Sequence, residues 1–77
     1  MPSGAFNWSF SDVAAVLKKH GFRLVHIEGS HYFYEGIVDG KRRTVQVAKH
    51  GSRAFKPRTF KSMMLQSGLP KKAWGLD

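Results

Sequence analysis

Apolar residues recur at Phe10, Val13, Ala14 and Leu17, the i, i+3, i+4, i+7 spacing of one helix face. Ser9-Phe10-Ser11-Asp12 at the head of that run supplies several N-cap side chains. Lys18, Lys19 and His20 crowd its far end, where positive charge suits the exposed carbonyls. Gly21 can take the left-handed position after the helix, which makes Leu17 and Phe22 the apolar pair of a Schellman stop. The spacing predicts a helix over about 10–20.

The pattern then shortens. Residues 22–28 are β-prone with mixed faces, and either face can point inward. Gly29-Ser30 reads as a turn, and residues 31–35 as a second strand dense in aromatics. Val38-Asp39-Gly40-Lys41 contains a hairpin signal. Residues 43–49 alternate cleanly, with Val45 and Val47 on the core side. Strands two and three should therefore pair antiparallel, with strand one joining them in a meander. After a basic loop at 50–56, Pro57 suits the first turn of a second helix. Its stripe is Phe60, Met63, Met64 and Ser67, and Gly68-Leu69 repeats the earlier stop with Met64 as the apolar partner.

Residues 1–9 read as an arm carrying Phe6 and Trp8, residues 10–69 as one domain, and residues 70–77 as a tail carrying Trp74. The predicted order is α-β-β-β-α, with both amphipathic stripes needing the same face of a three-stranded antiparallel sheet. This α+β order is that of a double-stranded-RNA-binding-like fold.

Composition narrows the function. Seventy-seven residues make one small domain, which buries only roughly 60% of its unfolded surface. A deep, enclosed pocket is excluded; catalysis at an open surface is not. Hydrophobic residues at 42% and aromatics at 13% support a folded core. The lack of cysteine excludes disulfide scaffolds, zinc fingers and thiol catalysis, and points to the cytoplasm. No apolar run is long enough to cross a membrane, and the first residues lack the pattern of a signal peptide. The net charge of +8 calls for a polyanionic partner: nucleic acid, a membrane surface or an acidic protein.

Lys49, Arg53, Lys56, Arg58 and Lys61 place five cations in thirteen positions with no acid among them. They lead into the start of the second helix, whose free N–H groups favour an anion. This is a candidate phosphate cradle, or simply a solvated face. Lys18, Lys19 and Arg23 form a second basic group, and Lys41, Arg42 and Arg43 a third. Tyr32 or Tyr34 can stack unpaired bases, although strand aromatics more often belong to the core. His20, His26, His31 and His50 have no metal-chelating spacing, so no metal is expected. His20 reads as a helix-end cation, His26 as a strand surface residue, and His50 as a residue within reach of a bound polyanion.

Lys19-His20-Gly21-Phe22, Gly29-Ser30-His31-Tyr32, Asp39-Gly40-Lys41 and Leu65-Gln66-Ser67-Gly68-Leu69, in that order, resemble the HicA toxin family. The resemblance covers about residues 10–69 and implies this same fold. It also implies a cofactor-free endoribonuclease that cleaves mRNA, blocks translation and is silenced by a HicB-like antitoxin. The family's catalytic histidine maps onto His31, with Gly29 and Ser30 as the turn that presents it. Histidine titrates near neutrality, so it can take the proton of an RNA 2′-hydroxyl or give one to the leaving 5′-oxygen. Lys, Tyr32, Ser30 or water would assist, and Glu28 or Glu35 can orient the ring. Lys49, Arg53, Lys56, Arg58, Lys61, Lys19, Arg23 and Tyr32 are the expected RNA contacts. The alternatives are a non-catalytic RNA-binding domain of the same fold, and a module that docks an acidic protein.

Overall fold

A computed structural model of the chain describes residues 2, 4–51 and 53–76. Met1, Ser3, Ser52 and Asp77, which fall in the expected arm, basic loop and tail, lie outside the described residues. Helix α1 (Phe10–Lys19) starts where the Ser9 hydroxyl accepts the Asp12 N–H and the Ser9 N–H donates to the Asp12 carboxylate at 3.0 Å. This reciprocal box satisfies two donors near the helix start. The helix ends in the predicted Schellman stop. Phe22 N–H reaches the Leu17 carbonyl at 2.9 Å, Gly21 N–H reaches that of Lys18 at 3.1 Å, and Gly21 sits at φ 87°.

Strands β1 (Arg23–Glu28), β2 (His31–Val38) and β3 (Lys41–Ala48) form an antiparallel meander in that spatial order. Both β2 and β3 run further toward their shared turn than alternation predicts. Asp39 and Gly40 both take positive φ, 52° and 77°. Such a turn matches the twist of its strands, so pairing continues to Val38 opposite Lys41. Phe22 falls outside β1. Its ring packs against Gly36, where a Cβ would stand 2.7 Å from it.

Both helices pack on β3. Neither face of β1 is covered, which answers the mixed pattern of its sequence: Leu24, Val25 and Ile27 are 41–49% exposed. A bulge between Leu24 and His26 shifts the register of this edge strand.

Helix α2 (Pro57–Ser67) has Pro57 in its first turn, as expected, but its stop differs from that of α1. The Leu69 N–H donates to the Ser67 hydroxyl at 3.1 Å, which donates in turn to the Met64 carbonyl at 2.6 Å. A buried serine thus relays a closure that α1 makes directly.

The core joins Val13, Leu17, Tyr34, Val45 and Val47 to a three-ring cluster. Trp8 stacks on Phe60 with centroids 4.6 Å apart, and Trp74 stands edge-on to both at 5.6 Å. Trp8 is held by its indole N–H on the Gly4 carbonyl at 2.7 Å and by its own carbonyl on the Phe55 N–H at 2.7 Å. Trp74 ends a short 3₁₀ helix, Lys71–Trp74. Both tryptophans of the expected arm and tail are therefore fully buried, whereas Phe6 stays exposed. Burial, reinforced by the neighbouring Tyr32, pushes the Tyr34 phenol above its ordinary pKa.

Candidate active site

His31 is the first residue of β2, directly after a two-residue turn in which Gly29 takes the positive-φ position at 61°. Strand alternation decides where it points. Tyr34, Val45 and Val47 face the helices, so His31, Phe33 and Glu35 project from the other face with Thr44 and Gln46. That face is open. His31 is exposed on it, with Nδ1 2.6 Å from the Gln46 amide nitrogen. An amide nitrogen only donates, so Nδ1 accepts and the neutral ring carries its proton on Nε2.

Gln46 was not legible as a site residue. It lies two positions from Ala48, which opposes His31, and the two share a face only in this register. Its backbone N–H donates to the Gln66 side-chain oxygen at 3.1 Å, and the Gln66 amide donates to Ser62 at 3.3 Å. Helix α2 thus grips the outer edge of β3 at the same residue that holds the imidazole.

The same end of the sheet gathers Lys49 and Tyr32. The Lys49 N–H donates to the Ser30 carbonyl at 2.7 Å, tying the start of the basic loop to the turn before His31. Its ammonium lies 5.3 Å from the Tyr32 ring centroid and 5.4 Å from that of Phe10, a cation–π seat. Tyr32 is half-buried on the helix side. Tyr34 is 2% exposed and has no face to offer a base, which removes it as a stacking residue. Glu28 stands opposite His31 in the register, but the carboxylates of the two acids considered for orienting the ring turn elsewhere: Glu28 approaches His26 at 3.6 Å, and Glu35 approaches Arg42 at 3.9 Å.

The other cations are dispersed. Arg53, Lys56, Arg58 and Lys61 are all exposed along the loop and α2, and no side chain caps that helix. Lys61 borders a groove with Ala5, Leu65 and Leu76. Lys19 lines another with Pro70 and Lys72. Arg23 pairs in register with Glu35, four residues along β2 from His31, a separation of about 13 Å. Lys19 and Arg23 therefore belong to the far end of the sheet. His50 is exposed beyond β3.

Among the described residues, no helix is long and apolar enough to cross a membrane. No curated protein and no solved structure gives a significant match to the chain. Residues 10–69 match the family described as HicA toxin of bacterial toxin-antitoxin. That stretch runs from the first residue of α1 to the apolar residue that follows the α2 stop, and it contains the whole sheet. The chain belongs to the HicA toxin family, the toxins of bacterial toxin–antitoxin systems, a membership that implies an antitoxin partner.

Proposed function

We propose that the chain is a metal-independent endoribonuclease that cleaves mRNA in the cytoplasm, blocks translation and is held inactive by a HicB-like antitoxin. The observation that carries this reading is the His31–Gln46 contact on an open face, in a chain of the HicA family. RNA supplies its own nucleophile. The 2′-hydroxyl loses a proton, its oxygen bonds to phosphorus, the bond to the 5′-oxygen breaks, and that oxygen gains a proton.

His31 serves these proton transfers. With the Gln46 nitrogen on Nδ1, the ring presents an Nε2–H donor to a phosphate or leaving oxygen. When the amide turns over, its oxygen accepts an Nδ1–H and frees the Nε2 lone pair for the 2′-hydroxyl proton. An amide can follow the ring through both forms, whereas a carboxylate suits only the second. Lys49 is joined to the Ser30 turn by its backbone, and its ammonium sits over Tyr32 and Phe10 on the helix-covered side, so it holds a phosphate next to the cleaved one. Arg53, Lys56, Arg58 and Lys61 hold neighbouring phosphates, and Lys19 and Arg23 hold more distant ones.

The test pairs RNA affinity with cleavage rate for His31→Ala, beside His20→Ala, His26→Ala and His50→Ala. Cleavage by the His31 variant should fall by roughly 10²–10⁴, while affinity and melting temperature stay near parental. Parental cleavage should survive excess chelator. A His31→Ala protein that cuts at the parental rate removes the assignment. A parent that binds RNA without cutting it is a binding domain instead.

A further inference from the structure

We propose that the open sheet face is a track for single-stranded RNA, with His26 and Phe33 as the platform on which an unpaired base stacks next to the cleavage point. The proposal rests on the ribonuclease reading and adds its substrate class. Of the three consecutive aromatics in β2, Phe33 alone projects from the face that carries His31. It lies two residues along the strand from the imidazole, about 7 Å, near the spacing of adjacent nucleotides. Across the sheet it pairs with His26, the ring centroids standing 5.3 Å apart. Two flat rings on adjacent strands, both reachable from solvent, suit the π-face of a nucleobase.

Charge is arranged to match. The open face holds Arg23 and Arg42 against Glu28 and Glu35, which cancel. Glu28 is approached by His26 and Glu35 by Arg42. The chain's net +8 therefore does not come from this face. A neutral aromatic centre seats bases and leaves phosphates to cations beyond it. At the far end, His20, Arg23, Glu35, Ile37 and Arg42 border a groove of about 480 Å³. An A-form duplex keeps its bases stacked on one another and cannot use the platform.

The experiment uses His31→Ala protein, which binds without cutting, and measures affinity for an unstructured 12-nucleotide RNA and for the same sequence as a duplex. The single strand should bind at least tenfold more tightly. Phe33→Ala and Phe33→Leu, made in the same background, should each weaken the single strand roughly tenfold or more and leave the duplex unmoved. Phe33→Tyr should restore binding. The leucine variant retains bulk, and a melting curve for each variant separates lost stacking from lost fold. Single-strand affinity unchanged in folded Phe33→Leu overturns the platform, as does an equal loss on the duplex. A variant that keeps RNA affinity but no longer binds the antitoxin gives this face to the protein partner and also overturns it. Because the readout is binding, a parent that never cleaves RNA defeats the ribonuclease reading while the stacking result stands or falls separately.

Discussion

On the helix-covered face of the sheet, Tyr34, Val45 and Val47 are at most 2% exposed and pack beneath α1 and α2. On the other face, their chain neighbours Phe33, Thr44 and Gln46 have no helix over them. A period of two thus sends alternate residues of the same strands to a core and to a candidate site. Substitutions on one face should move stability, and those on the other should move chemistry. A slip of one residue in register would exchange the two sets. The β3 contact with Gln66 and the I′ turn at Asp39-Gly40 hold that register.

The largest test of the contrast is Phe60→Ala, which removes the ring beneath Trp8 and beside Trp74. It should cost about 3–5 kcal/mol, much of what a domain of this size has, and leave a largely unfolded chain by circular dichroism at 37 °C. Next, Gly36→Ala drives a methyl into the Phe22 ring and should cost about 1–3 kcal/mol. The melting temperature should drop by several degrees, with cleavage by the folded fraction unchanged. If catalysis falls while stability holds, the division between faces is wrong.

On the open face, Gln46→Leu frees the imidazole. It should lower kcat about tenfold, or 1.4 kcal/mol, with KM and melting temperature unmoved; a KM effect alone would make Gln46 a binding residue. The smallest effect is expected off both faces. Arg53→Glu with Lys56→Glu should weaken RNA binding a few-fold at physiological salt, where exposed charges are screened over about 8 Å. It should also flatten the salt slope by about 1.4 for two single-strand phosphate contacts. An unchanged slope would move the cradle elsewhere.

Features closed within a few residues were legible in the sequence. The Leu17–Phe22 stop, the Asp39-Gly40 turn and the alternation around Val45 and Val47 all form as read, because each is decided by local backbone chemistry. The burial of Trp8 and Trp74 was not legible, since they meet on Phe60 from opposite ends of the chain. The exposure of β1 depends on the helices lying over β3. His31 emerged only through family resemblance. Its partner Gln46 needed the strand register, and so did the choice of Phe33 over Tyr32 and Tyr34.

The aromatic cluster also has an optical consequence. The chain has two tryptophans, and both are sealed in that cluster with their rings 5.6 Å apart. Their emission should be blue-shifted in the native state and shift to the red as the two ends of the chain come away from Phe60. It should be nearly silent to anything that settles on the far side of the sheet. The protein thus carries its own fluorescent gauge of folding, already blind to the ligand, and a single Phe33→Trp substitution would add a second gauge that is not.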